Sequence, residues 1–165
     1  GNRMNDYPGI RYKQSPYPIN AQTSFTDRGN YLSDNLTAVI WMCGRITYID
    51  IKQNGFGISF NFSGCYMSKF IYQGKVYIAH IHRGFSPDCA SYWNKFVETN
   101  SIQVLSLFQP VGEHDWLLSH KKENHTIGGL ILPDNTCYSI LINKENSVVE
   151  GYEFHENLAN SPIIR

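Results

Sequence analysis

The stretch GISFNFSGCYMSKFIYQGKVYIAHIH (residues 57–82) decides how this chain is read. Its first half alternates. Phe60 and Phe62 fall on one parity, and Ser59, Asn61, Ser63 and Cys65 on the other. Successive side chains of a strand point to opposite faces, so the phenylalanines are expected in a core and the polar set with its thiol on the other face. Gly64 interrupts the pattern just before Cys65, where a residue without Cβ permits a bend or a close backbone approach. Six residues of straight strand span about 20 Å. Ser59 and Cys65 can therefore serve one site only when the chain bends or changes strand between them.

The second half reads as a hairpin, with Gln73-Gly74 where a two-residue loop would sit. A two- or four-residue loop sets Met67 opposite His80 and Cys65 opposite His82. His80 and His82 then share a face with Cys65, one diagonal to the thiol and one directly across. A three-residue loop would invert the parity and separate them.

Working outward, the remaining periodicity is mostly two. NLTAVIWMC (residues 35–43) is a near-continuous apolar run with β-branched members, as in a strand covered on both faces. RITYIDIK (residues 45–52) alternates, with Ile46, Tyr48 and Asp50 on one side and Thr47, Ile49 and Ile51 on the other. QNGFG (residues 53–57) then supplies an Asn-Gly hairpin signal. TIGGLILP, TCYSILIN and SVVEGYEF (residues 126–133, 136–143 and 147–154) read as three further strands. SPDCASYWNKFVETN (residues 86–100) predicts a helix, with Ser86 as cap, Pro87 opening it, Asp88 in the first turn, and an apolar stripe of Cys89, Tyr92, Trp93 and Phe96. EHDWLLSHKK (residues 113–122) predicts a shorter one. Residues 1–30, proline-bearing and polar, are expected to form an extended arm. The sum is an α+β chain, a mostly antiparallel β-sandwich-like core with one or two flanking helices, forming a single catalytic domain over residues 1–165.

Composition narrows the function. Fourteen basic side chains balance fourteen acidic ones, and the longest basic run is Lys121-Lys122, so the electrostatic footprint of a nucleic-acid binder is absent. The longest apolar runs, residues 37–43 and 127–133, are far short of a membrane span. The polar opening residues contain no apolar signal-peptide segment. Four cysteines (Cys43, Cys65, Cys89 and Cys137) lack CxxC spacing and are expected as free thiols, with Cys43, Cys89 and Cys137 structural. Sequons occur at Asn35, Asn61 and Asn124, and the middle one lies inside the decisive stretch.

Phe62-Ser63-Gly64-Cys65, followed by a hairpin and then Ala79-His80-Ile81-His82, resembles the Cys–His glutamine deamidases, among them the cytotoxic necrotizing factor catalytic domain, the Burkholderia lethal factor and the chemoreceptor deamidase. The two toxins share a Leu-Ser-Gly-Cys motif, matched here at three of its four positions. Their catalytic histidine, at the end of the following strand, carries over onto His80. Where the lethal factor and the chemoreceptor enzyme have a threonine six residues before the cysteine, this chain has Ser59, which keeps the hydroxyl. The resemblance covers residues 57–82 only.

It implies a protein-glutamine deamidase. Cys65 would attack the carboxamide, with His80 as base and holder of a depressed thiol pKa. Ser59 would orient the imidazole, and the backbone N–H groups of Gly64 and Cys65 would steady the oxyanion. His82 stands as the alternative base. No cofactor or metal is implied. The implied partner is a host protein, a translation-initiation helicase or a small GTPase, met by a bacterial toxin or effector that is secreted or injected and acts in the host cytosol. Other readings stay open. They are a transglutaminase or other Cys–His hydrolase on the same residues, a zinc site of Cys65, His80 and His82, and a non-catalytic β-sandwich binding module. His114, His120, His125 and His155 are expected on the solvated surface.

Overall fold

The computed structural model describes residues 24–84, 88–112 and 116–165. Two mixed sheets stack face to face, and one helix covers the outer face of the first. The first sheet orders its strands β1 (Phe25–Asp27), β4 (Ile46–Asp50), β7 (Lys75–Ile81), β6 (Tyr66–Tyr72) and β8 (Gln103–Phe108). The second orders β11 (Val149–His155), β10 (Cys137–Asn143), β9 (His125–Ile131), β5 (Phe56–Ser59), β3 (Leu36–Val39) and β2 (Gly29–Ser33). The α+β class with few helices follows from the strand-rich sequence. Two pairs, β1–β4 and β3–β5, are parallel, because the chain passes through the other sheet between the partners, by β2 and β3 in the first case and by β4 in the second.

The alternation in β4 and β7 distributes side chains between two cores. Ile46, Tyr48, Tyr77, Ala79 and Ile81 face helix α1 (Cys89–Thr99), against Trp93, Phe96 and Val97. Ile49, Ile51 and Ile78 face the second sheet and meet Val39. A further inter-sheet cluster joins Phe62, Cys65, Met67 and Phe108 to Ile127, Ile131, Cys137 and Leu141. Glycine lets the sheets approach closely, as two positions show. A Cβ on Gly57 would stand 2.7 Å from the Ile78 side chain, and one on Gly129 would stand 2.8 Å from the Met67 sulfur.

Several expectations need correction. The arm predicted for residues 1–30 lies outside the described residues up to position 23, and beyond it Phe25–Asp27 and Gly29–Ser33 are strands. The Asn54-Gly55 turn, closed by Gly55 N–H to Lys52 C=O at 2.9 Å, is no hairpin, since it links β4 of one sheet to β5 of the other. Ser86 and Pro87 lie outside the described residues, and the helix cap is Asp88, whose carboxylate accepts from Ser91 N–H at 3.1 Å. In the short helix α2 (Trp116–His120), residues 113–115 likewise lie outside the described residues, His114 among them. Strand β8 was not foreseen.

The decisive hairpin has the predicted register. Tyr72 pairs with Lys75, so the loop is Gln73-Gly74, and Met67 pairs with His80. Both loop residues have positive φ (50° and 77°), as a type I′ turn requires.

Candidate active site

The chain leaves the second sheet after Ser59 and enters the first at Tyr66. Asn61 makes the change of direction, with φ at 65° in the left-handed region, where asparagine is among the few tolerated side chains. Its backbone N–H is held by Thr126 Oγ1 at 3.1 Å, and the next N–H, of Phe62, by Ile127 C=O at 3.0 Å. This crossing removes the 20 Å problem of a straight strand. It also breaks the expected parity. Ser59 points inward between the sheets and is fully buried, Phe60 is only half-buried, and Phe62 returns to the core.

Ser59 and His80 meet across the sheet interface, the Ser59 Oγ lying 2.7 Å from His80 Nδ1. The hydroxyl has one hydrogen, and Val39 C=O accepts it at 2.6 Å. The Ser59 oxygen is then an acceptor for the ring, which must carry its proton on Nδ1. Nε2 is left as a lone pair, buried and without a hydrogen-bond partner. That is the tautomer a general base needs. Phe62 fixes the ring plane, stacked on the imidazole at 4.0 Å between centroids and 2° between planes. Burial, and secondarily the neighbouring charge of His82, hold the His80 pKa well below the ordinary histidine value, so His80 is neutral.

Cys65 lies one step before the Tyr66–Ile81 pair, on the Met67 face of β6 and within the inter-sheet cluster. It is 4% exposed. Its sulfur is not hydrogen-bonded to His80 Nε2. The depressed thiol pKa expected from an imidazolium partner is not found. Burial pushes the Cys65 thiol up, outweighing the opposing influence of the Arg83 backbone and the Trp41 side chain, while Cys43 pushes in the same direction as burial. The reason is physical: an imidazole kept neutral by its own burial offers no positive charge. At rest Cys65 is a thiol and His80 an imidazole, both uncharged.

The Gly64–Cys65 peptide is oriented by Gln109, whose Nε2 donates to Gly64 C=O at 3.0 Å. In a trans peptide the following N–H points the opposite way, so the Cys65 N–H is directed away from Gln109. No atom lies within 4 Å of where a Gly64 Cβ would stand, which leaves open space beside the turn.

His82 is half-buried, with its ring 6.0 Å from that of Trp41 and its Nδ1 unpartnered. Among the described residues no hydroxyl is seen to orient it as Ser59 orients His80. Among the described residues no group of three His, Cys, Asp or Glu side chains is placed to hold a metal ion. His120 is exposed on α2, as expected. His125 and His155 are not solvated bystanders: His125 is buried against Glu150 at 2.7 Å, and His155 Nε2 bonds Ser139 Oγ at 2.8 Å. All four cysteines are free, Cys43 being exposed rather than structural and Cys89 and Cys137 buried. Most aromatics serve the cores, and Tyr152 and Phe154 stand out as exposed on edge strand β11.

Trp41, Val39, Phe62 and Gln109 complete the site, and the sequence marked none of them as functional. Trp41 and Val39 sat in a run read only as apolar. Among the described residues no helix is long and apolar enough to cross a membrane. No protein-family model, curated protein or solved structure matches the chain.

Proposed function

We propose that this protein is a protein-glutamine deamidase, with Cys65 as nucleophile, His80 as base and Ser59 as the group that orients it. The observation that carries the reading is the Ser59–His80 bond, with the hydroxyl committed to Val39 and Nε2 left bare on the face that bears Cys65.

The chemistry runs from a neutral pair. As the Cys65 sulfur attacks the carboxamide carbon of a glutamine, its proton passes to His80 Nε2, and the carbonyl π electrons move to oxygen. The backbone N–H groups of Gly64 and Cys65 steady that oxyanion. The His80 imidazolium, paired with the Ser59 oxygen through Nδ1–H, then protonates the departing ammonia, leaving a thioester. Water, deprotonated by His80, adds to the thioester. Collapse expels the Cys65 thiolate, which takes the proton that His80 removed from water, and the product is glutamate. Ser59 moves no proton at any step.

The biological setting extends the same reading. The chain acts on a host protein, as a bacterial toxin or effector that is secreted or injected and works in the host cytosol. A cytosolic site of action agrees with the Asn61 sequon inside the Ser59–Cys65 crossing, where a glycan would stand at the site itself. A translation-initiation helicase and a small GTPase are the first targets to assay. The test is incubation of host-cell lysate with the protein, followed by peptide mass spectrometry for glutamines converted to glutamate. Conversion at discrete sites, absent with Cys65→Ala, is expected. A lysate in which no glutamine changes overturns the reading, and amine adducts at the same glutamines would make the enzyme a transglutaminase.

A further inference from the structure

The edges of the two sheets are guarded unequally. Edge strand β8 is covered by the tail of the chain, where Leu158 N–H donates to Leu107 C=O at 2.7 Å and Asn157 Nδ2 donates to Leu105 C=O at 2.9 Å. β1 is three residues long, and the pairing of β2 is bulged between Tyr31 and Ser33. Covered, short and bulged edges resist pairing with other chains. Past a bulge near its start, β11 has none of these devices. It runs for seven residues, VEGYEFH, without Lys, Arg or Pro, and among the described residues only β10 pairs with it. Its two carboxylates are held within the chain. Glu150 meets His125 Nε2 at 2.7 Å and Asn143 Nδ2 at 3.1 Å, and Glu153 accepts from Trp116 N–H at 2.9 Å.

The main chain of β11 is open at alternate residues. Thr136 C=O accepts from Leu132 N–H at 3.0 Å on the β9 side, and Asn143 N–H donates to Val148 C=O at 2.9 Å on the β11 side. Even-numbered residues of β10 therefore bond β9, and odd-numbered ones bond β11. Ser139 pairs with Glu153 and Cys137 with His155, which turns the N–H and C=O of Tyr152 and Phe154 to the open edge. The side chains of those two residues stand on the outer face, 70% and 64% exposed. Each makes a T-shaped contact with Tyr138, at 6.1 and 5.8 Å between ring centroids. Val148 and Val149 add exposed apolar surface beside them.

We infer that β11 pairs antiparallel with β11 of a second copy, about a twofold axis through Tyr152, joining the two second sheets into one continuous sheet. Charge and register choose the axis. An axis through Glu153 would set the two Glu153 carboxylates directly opposite each other, which is destabilising. An axis through Gly151 would set Tyr152 opposite the partner's Glu150 and Phe154 opposite the partner's Val148, which separates the aromatics. Tyr152 is the midpoint of Val149–His155, so an axis there pairs the whole strand. Tyr152 then meets its own counterpart, Glu153 faces the partner's Gly151, and no like charges stand opposite. The two Tyr152 main chains exchange both their hydrogen bonds, and Phe154 reaches the partner's Glu150. An aromatic side chain buries about 150–250 Å². Two per copy, with the valines and the strand edge, place the interface near the lower bound of specific ones, roughly 1,000–1,200 Å² in total. The dimer is therefore reversible and concentration-dependent. The inference rests on no catalytic role, so it stands or falls apart from the deamidase reading.

Sedimentation velocity of the whole chain over a micromolar concentration series is expected to show the weight-average coefficient rising from monomer towards dimer. Tyr152→Lys, at an exposed position, sets two ammonium groups against each other on the axis. It is expected to stay monomeric with an unchanged denaturation midpoint. Register is read by cross-linking in a Cys43→Ser background, which removes the exposed native thiol. A short bismaleimide should join Tyr152→Cys to its counterpart, whereas Val149→Cys, roughly 20 Å from its own counterpart in this register, should stay unlinked. Wild-type protein that remains monomeric throughout overturns the inference and leaves this edge to a different molecule. A dimer that survives Tyr152→Lys overturns it too, as does one cross-linked through Val149→Cys and not through Tyr152→Cys.

Discussion

Ser59 and His80 belong to different sheets, yet their side chains meet at 2.7 Å, and the bond fixes which ring nitrogen is free. The whole of the proposed chemistry depends on that choice of nitrogen.

Replacing the nucleophile or the base should abolish turnover. Cys65→Ala and His80→Gln are each expected to lower the rate by at least the 10²–10⁴-fold typical of a lost acid–base group (on the order of these values). Glutamine is the better probe of His80 because the ring is fully buried against Phe62. Alanine there would leave a cavity costing about 3 kcal/mol and would confuse chemistry with folding. His82→Ala should retain the rate within about tenfold of wild type, the lower end of an acid–base contribution lying above that. Steady-state rates on an identified glutamine peptide, with denaturation curves for each variant, decide the matter. An active, folded His80→Gln enzyme would transfer the role of base elsewhere.

Ser59→Ala removes the bridge between Val39 C=O and His80 Nδ1–H and leaves both groups buried. Two effects should appear together. The rate should fall about ten- to a hundredfold, less than the loss of the base itself, and stability should drop by about 1–3 kcal/mol from the unsatisfied groups. Ser59→Thr should restore both by keeping the hydroxyl, and Ser59→Val should resemble alanine. A stability loss without a rate loss would make Ser59 a structural residue only.

Acid should weaken the fold in a definite window. Burial lowers the pKa of His80 and, less deeply, of His82 in the folded state. The unfolded chain, with histidines near about 6.5, then binds more protons than the folded one as pH falls below that value. Stability contributed by the neutral imidazoles is complete above about 6.5 and is lost progressively below it, towards the lower folded-state values. Urea midpoints measured from neutral to mildly acidic pH should fall, and His80→Gln should flatten the slope. An equal slope in wild type and variant would show that His80 is not buried as a neutral ring. In the free protein, alkylation of buried Cys65 at neutral pH should be slower than that of exposed Cys43.

Asn61 is the conformational pivot of the site. Asn61→Gly should fold with little loss, whereas Asn61→Val, β-branched in the left-handed region, should cost about 1–2 kcal/mol or more. The same variant should lose activity beyond its loss of folded protein, because the pivot sets Ser59 and Phe62 against His80. Normal activity per folded molecule in Asn61→Val would show that another backbone path reaches the same geometry.

Much of the first sheet was legible in the sequence because its signals are local. Gln73-Gly74 supplies the two positive-φ positions of a type I′ turn, and from that loop the Met67–His80 register follows by counting. The alternation of Ile46, Tyr48, Ile49 and Ile51 anticipated the division of β4 between two faces, of which the first meets the helix and the second the other sheet. What stayed hidden depends on contacts between distant segments. Val39 and Gln109 are unremarkable in their own neighbourhoods and acquire roles, on Ser59 and on Gly64, only when distant segments of the chain converge. The parity of Ser59 was misread for the same reason, since nothing local announces that a strand ends there and the chain changes sheets. The thiol pKa was misjudged because a sequence displays the partner of Cys65 but not the burial of both groups.

The crossing at Asn61 has a consequence for how the protein can be switched off. The Ser59 hydroxyl and the proposed nucleophile, Cys65, lie six positions apart in the chain, but each is anchored to a different sheet. Any event that lets the two sheets part slightly at that end separates Ser59 from His80 while leaving both hairpins hydrogen-bonded. The site is therefore a latch across the seam of the sandwich, sprung by partial opening well before global unfolding. Heat, pressure or a ligand wedged at the seam should silence the proposed activity reversibly while the strands persist.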